Sequence, residues 1–222
     1  MNIDIEKMRD EQLKLAQEVI LRDQFDKPKL IAGCDCTFEG ERVIASVVLL
    51  EYPSMAFVEA KYAVHEDAIP YIPGYLAYRE IPTVSAAFAK LKNTPDIIIV
   101  DGNGILHPRR IGSASHLGIA LDLPTIGVAK KLLMGQVREG KVWVENEIRG
   151  FEVKTKDVSN PIYVSPGHKV SLGMALKLVM GCIRPPHKLP EPLHAAHKYA
   201  NKIRKGQPKD NPQRVEQLVA EA

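Results

Sequence analysis

Residues 96–102 read DIIIVDG. Four consecutive β-branched residues between acidic ends offer no polar face to water, so the segment suits a short strand buried on both sides. A sheet containing such a strand needs helices over each face, which directs the chain toward a layered α/β architecture. Asp101 falls at the C-terminal end of this strand.

The flanking sequence supplies the other parts. Leu30 to Phe38 is strand-like, EGER makes a turn, and Val43 to Tyr52 is a second, strongly apolar strand. Val58, Ala60, Tyr62 and Val64 alternate with Glu59, Lys61 and His65, the period of a half-buried third strand. Three strands joined by short turns form an antiparallel meander. Ahead of them, Ile5 to Asp23 places Leu13, Ala16 and Ile20 at helical spacing. Behind them, Thr83 to Lys92 carries Val84, Ala87, Phe88 and Leu91 at helical spacing, with Pro82 suited to a first turn. Ser113 to Asp122 is a further helix and PTIGVAK a further buried strand, so the meander passes into βα units. Val142 to Lys156 reads as a polar hairpin, Pro161 to Val164 as a strand, and Leu172 to Cys182 and His194 to Lys205 as helices. Val215, Leu218 and Val219 form at most a short appended helix. The expected organisation is one domain over residues 1–205 and an extension of unknown role over 206–222.

Composition narrows the class. Of the 222 residues 45% are hydrophobic and 26% charged, which suits a large globular core. No run approaches the ~20 apolar residues of a membrane helix, and the N-terminus lacks a signal-peptide pattern. A soluble, cytoplasmic protein is expected. Three cysteines are too few and too oddly spaced for a disulfide framework, and packing is the favoured role for Cys34, Cys36 and Cys182. In a strand, Cys34 and Cys36 would share one face and leave Asp35 on the other. The net charge is only +3, but residues 184–205 hold six Lys/Arg against one Glu. A basic stretch of this kind fits either a phosphate-rich partner or a solvated helix face.

One segment fits neither helix nor strand. In IPYIPG, Pro70 and Pro73 fix φ on both sides of Tyr71 and Ile72 and remove two backbone donors. The sequence holds an aromatic side chain rigid on a loop.

Asp35 lies within the first strand, Asp101 ends the fourth, and Glu80 stands between them. Each acid alone has an ordinary explanation: a buried hydrogen-bonded acid, a turn former before Gly102, a partner of Arg79. Together they are harder to dismiss, because neighbouring strands would bring Asp35 and Asp101 within a few ångströms. Two ionised carboxylates that close repel unless a cation neutralises them. A hard divalent ion such as Mg²⁺, bound by one or two carboxylates and substrate phosphate, points to metal-assisted phosphodiester chemistry.

The chain also resembles the endonuclease V family, the deoxyinosine-directed repair nucleases with a ribonuclease H-like fold. The resemblance rests on GCDCTF around Asp35, PYIPGYLAYRE from Pro70 to Glu80, VDGNGILHPRRIGSASHLG from Val100 to Gly118, PTIGVAK, VSPGH, and EPLHAAHKY from Glu191 to Tyr199, in the family's order. It implies an α/β, ribonuclease H-like fold with a central mixed sheet flanked by helices. It implies Asp35, Asp101 and Glu80 as metal ligands, for Mg²⁺ with Mn²⁺ able to substitute, and Lys130 and His197 as further catalytic residues. Tyr71 and Ile72, braced by Pro70 and Pro73, become a wedge that enters the duplex. Gly74, Leu76 and Gly102 become a largely backbone pocket for the extruded base, and His107, Arg109 and Arg110 contacts to the DNA phosphates. The first motif departs from the family in carrying Cys34, Cys36 and Thr37 where relatives often have aliphatic or small residues and serine.

The resemblance implies hydrolysis of the second phosphodiester 3′ to deoxyinosine in DNA, leaving 3′-hydroxyl and 5′-phosphate ends. An inosine-specific ribonuclease using the same site, and a non-catalytic nucleic-acid binder whose acids are structural, are the alternatives.

Overall fold

The structure is a computed structural model and describes residues 3–206. Its centre is a nine-stranded sheet in the order β3-β2-β1-β4-β5-β9-β8-β7-β6. Strands β1 (Leu30–Glu39), β2 (Arg42–Glu51) and β3 (Phe57–His65) form the expected antiparallel meander. β4 (Ile97–Asp101) and β5 (Thr125–Ala129) continue from β1 in parallel. β9 (Ile162–His168), β8 (Glu147–Val153), β7 (Lys141–Val144) and β6 (Gln136–Arg138) extend the sheet antiparallel.

The β4 side chains divide as the sequence requires. Ile97 and Ile99 enter a core shared with Leu178 and Val179 of α4 (Leu172–Gly181) and Leu193 of α5 (Glu191–Arg204). Ile98 and Val100 face the other way, into a core with Val84 and Ala87 of α2 (Leu76–Phe88) and Leu117 of α3 (Ser113–Leu121). All four are buried. The fold is thus a mixed sheet flanked by helices on both faces.

Several boundaries differ from the sequence reading. Helix α2 starts well before Thr83, so Pro82 lies inside it. Gly74, at φ +81°, turns the chain into the helix, and Pro82 removes only the bond it would have donated to the Tyr78 carbonyl. Arg79 offsets that loss by anchoring α2 to the Gly40 and Ile69 carbonyls at 2.5 and 2.7 Å. The first helix, α1 (Ile5–Glu18), ends sooner than expected and buries Gln12, while Leu13 is 43% exposed. In β3 a bulge opposite Leu49 and Leu50 breaks the alternation, so Val58 and Ala63 pack with α2 while Phe57, Ala60 and Tyr62 pack toward α5. Helix α5 begins at Glu191 with Pro192 in its first turn, a position where the missing N–H costs nothing. β9 runs past Val164 through Pro166 to His168. The appended helix at Val215 to Val219 lies outside the described residues. None of the described helices is long and apolar enough to cross a membrane.

Candidate active site

Asp35 and Asp101 arrive from adjacent parallel strands. Cys34 and Val100 are register partners, so the residue that follows each lies beside the other. Strand alternation sends Cys34 into the core with α2 and turns Asp35 to the opposite face, under α5. That helix comes close because β1 carries Gly33, where a side chain would overlap the Pro192 carbonyl. Ser46 of β2 pins the same helix by donating to the Ala196 carbonyl at 2.7 Å. His197, the next residue, then meets Asp35 with Nδ1 2.6 Å from Oδ2. Asn201, one turn on, lies 3.1 Å from His197 Nε2 and donates to its carbonyl at 2.9 Å. The neutral tautomer that satisfies both ring contacts has its proton on Nδ1, donated to Asp35.

Asp35, Asp101 and His197 each offer a ligand atom, and these atoms lie within 4.8 Å of one another. Lys130, directly after β5, donates from Nζ to Asp101 Oδ2 at 2.5 Å. Glu80 is buried on α2 and accepts from Ser113 Oγ at 3.2 Å. Burial, then the Asp101 and Asp35 charges, push the Glu80 carboxyl up to about 8 against the pull of Ser113. Asp101 is raised to about 6 by burial and then by Asp35, with Lys130 pulling the other way and losing. Partial burial alone would lower the Lys130 ammonium, but Asp101 and Asp35 hold it above its ordinary value. Three carboxyls therefore share one site with a single ammonium beside them.

That excess of buried negative charge is the condition under which a divalent cation binds. The donor set fits one: two carboxylates supply the oxygen ligands that Mg²⁺ and Mn²⁺ take, and His197 is hydrogen-bonded to one of them. Glu80 lies outside the compact group of three and is bound to Ser113, while the Asp101 and Asp35 charges reach it.

Next to this group is a cavity of about 160 Å³, lined by Gln12, Tyr71, Gly74, Leu76, Gly102 and His107 among others. It is smaller than the ~300–1,000 Å³ pockets that hold drug-sized ligands and is on the scale of a single flat ring system. Gly102 is bonded to Asp101, and Leu76 lies one helical turn before Glu80, so pocket and carboxylates share two stretches of backbone. Tyr71 stands at the rim, 64% exposed, between the exposed Pro70 and Pro73, while Ile72 is half-buried. Tyr71 also lines a second, apolar cleft with Phe38 and Arg79 on its other side.

The sequence model of the family described as Endonuclease V matches residues 13–198. The chain belongs to the endonuclease V family. It is 41% identical over 211 residues to the endonuclease V of Thermofilum pendens, covering 92% of this chain and 91% of that one. It is 44% identical over 201 residues to that of a Nostoc species, covering 86% and 90%. Among solved structures, endonuclease V from Streptomyces avermitilis superposes with a TM-score of 0.83 at 33% identity, covering 92% of this chain and 95% of that one. Endonuclease V of Ciona intestinalis, in complex with a 24mer DNA containing an inosine followed by a ribo-adenosine, superposes at 0.83 with 31% identity, covering 91% and 98%.

In this endonuclease V family member the HPRR residues are engaged inside the protein. His107 is buried; its Nδ1 accepts from the Arg109 backbone N–H at 3.3 Å and its Nε2 donates to the Gly74 carbonyl at 3.2 Å. Burial and then the Arg109 charge lower it to about 4, so it is neutral at neutral pH. The Arg109 guanidinium donates to Gln12 Oε1 and to the Gly74 carbonyl and lies 4.5 Å over the Tyr75 ring. Arg110, at φ +58°, pairs with Glu147 of β8. All three shape the pocket loop in this structure, and none stands as a free surface cation.

Three participating residues escaped the sequence reading. Ser113 gave no signal beyond its motif. Asn201 could have been found as the i+4 neighbour of His197. Gln12 could have been found as the one polar residue in a helical stripe with Met8, Leu15 and Val19.

Proposed function

We propose that this nuclease is a Mg²⁺-dependent endodeoxyribonuclease, able to use Mn²⁺, that recognises deaminated bases, chiefly deoxyinosine, and hydrolyses the second phosphodiester 3′ to the lesion. The observation that carries this reading is the junction of the Asp35, Asp101 and His197 group with a ring-sized pocket through the single peptide bond from Asp101 to Gly102. A base held in the pocket brings its own strand across the carboxylates, and the reacting phosphate lies beyond the pocketed nucleotide.

Asp35 and Asp101 would hold the cation, and His197 orients Asp35 through its hydrogen bond, as an imidazole that contacts a ligand carboxylate does. When bound, the ion polarises the scissile phosphate and lowers the pKa of water. Lys130 keeps Asp101 in place with one N–H, and its half-exposed ammonium has further donors for a phosphate oxygen. Glu80, held by Ser113, is a proton-exchanging group at the edge of the site. Water adds to phosphorus, the P–O3′ bond breaks, and the departing oxygen takes a proton, leaving 3′-hydroxyl and 5′-phosphate ends.

At the pocket, Tyr71 and Ile72 enter the duplex as the base leaves, and Pro70 and Pro73 keep them rigid. Extrusion costs a few kcal/mol and is cheapest at a mispaired base, which favours deaminated adenine over intact pairs. Backbone groups of Gly74, Leu76 and Gly102 read the base edge.

The test is nicking of single-inosine DNA and RNA duplexes by wild type and Asp35→Ala, with Mg²⁺ or EDTA. Metal-dependent cleavage of the DNA by wild type alone is expected. Cleavage that persists in EDTA or in Asp35→Ala overturns the metal mechanism, stronger cleavage of the RNA makes the protein a ribonuclease, and no cleavage of either substrate makes it a binder.

A further inference from the structure

The Gly74 carbonyl receives three donors. Gln12 Nε2 lies 3.1 Å away, Arg109 Nη2 2.8 Å and His107 Nε2 3.2 Å. The other side of the same peptide is also held, since the Tyr75 N–H donates to the Ile72 carbonyl at 3.0 Å. A planar peptide points its C=O and N–H in opposite directions, so the two attachments together fix its rotation. This peptide is the joint between the turn that carries Tyr71 and the helix whose first residue, Leu76, lines the pocket.

Two of the donors come from the HPR loop. The third comes from α1, a helix outside the sheet, and is its only fully buried side chain among the described residues. A buried glutamine needs partners at both ends of its amide, and Gln12 has them: Nε2 donates to Gly74 and Oε1 accepts from Arg109 Nε at 2.5 Å. The Arg109 contact fixes which end of the amide faces Gly74, because a guanidinium only donates.

We infer that Gln12 is a positioning residue for base recognition: its carboxamide, oriented by Arg109, holds the Gly74 carbonyl and with it the peptide that links the Tyr71 turn to the wall of the base pocket. This rests on the pocket taking the deaminated base, as proposed above. Gln12 does no chemistry on the phosphate, so its loss changes recognition and spares turnover at saturation.

Helix α1 is also tied to α2 itself, by a bond from the Tyr78 hydroxyl to the Met8 carbonyl at 2.9 Å that does not involve the clamp. It supplies the control. Steady-state cleavage of a single-inosine DNA strand is measured with Mg²⁺ for wild type, Gln12→Leu, Gln12→Glu and Tyr78→Phe, with a thermal melt of each. Gln12→Glu keeps the acceptor for Arg109 and loses the donor to Gly74; Gln12→Leu loses both. KM is expected to rise about tenfold in both Gln12 variants, the worth of a lost buried hydrogen bond, with kcat near wild type and Tyr78→Phe at wild-type KM. Should Gln12→Leu fail to fold, Gln12→Glu decides. Wild-type KM in the Gln12 variants, or an equal rise in Tyr78→Phe, overturns the inference and makes Gln12 an ordinary helix anchor. Absence of cleavage by wild type itself overturns the functional reading, and this inference with it.

Discussion

Asp35 lies beside Asp101 because Cys34 pairs in register with Val100, and the Asp101 carboxyl is held up at about 6 by burial and by Asp35 in spite of the Lys130 ammonium 2.5 Å away. Without a cation, repulsion and desolvation at this pair oppose folding near neutral pH. Asp101→Asn removes one charge and keeps the shape. In chelator at pH 7.5 the variant should melt about 2–4 °C above wild type, a gain of roughly 1 kcal/mol for a chain of this size. Mg²⁺ or Mn²⁺ should raise the melting temperature of wild type and not of the variant, and nicking should fall by more than ~100-fold. A variant that melts below wild type in chelator would mean that the Lys130 contact outweighs the repulsion.

Tyr71→Ala should separate recognition from stability. The side chain is 64% exposed, so unfolding free energy should change by no more than about 0.5 kcal/mol. Affinity for an inosine-containing duplex, read by fluorescence anisotropy, should drop by about 1–3 kcal/mol, the worth of one base–aromatic stack. Equal losses in both measurements would make Tyr71 a packing residue.

Gly33→Ala tests how α5 reaches the strand that carries Asp35. The added methyl overlaps the Pro192 carbonyl, and a helix backbone pinned by Ser46 cannot yield as a side-chain tip would. Urea unfolding should show a loss of about 3 kcal/mol. In the folded fraction activity should fall as well, since any retreat of α5 withdraws His197 from Asp35. Unchanged stability would show that the helix slides freely on the sheet.

His107 makes stability depend on pH. Its folded value, about 4, lies below its ordinary 6.5 because burial and Arg109 disfavour the charged ring, so protons bind the unfolded chain more readily. The stabilisation is complete above about pH 6.5 and is lost as pH falls toward 4. Between pH 7 and pH 5 wild type should lose about 2 kcal/mol more than His107→Gln, measured by urea titration at each pH. Parallel pH profiles for the two proteins would show that the ring carries no such burden.

The sheet was legible because its signal is local. DIIIVD has to be covered on both faces wherever it lies, and the turns at EGER and at Pro53 and Ser54 leave the strands before and after β2 little choice but to pair with it. Asp35 and Asp101 followed from strand neighbourhood. What sequence could not carry was approach across the layers. Nothing near His197 announces that Gly33 lets its helix settle onto β1, and Gln12 meets Gly74 from 62 positions away. HPRR reads as a basic surface cluster because a sequence does not display burial, yet two of its cationic side chains are taken by Gly74, Gln12 and Glu147. Pro82 misled the start of α2 because proline prefers a first turn, whereas here Gly74 makes the turn and Arg79 secures the helix.

The alternation along β1 sets three neighbours to different uses: Cys34 and Cys36 pack toward α2 while Asp35 faces α5. Displacing this strand by one position against its partner would exchange the faces and offer two soft thiols where a hard oxygen now stands, a donor set for Zn²⁺ or Cu⁺ and not for a hard divalent ion. The ladder with β2 runs without a bulge from Leu30 opposite Glu51 to Glu39 opposite Arg42, closed by an ion pair between the last two residues. The hardness of the donors offered at this group is therefore written in a hairpin's alignment as much as in the residues themselves.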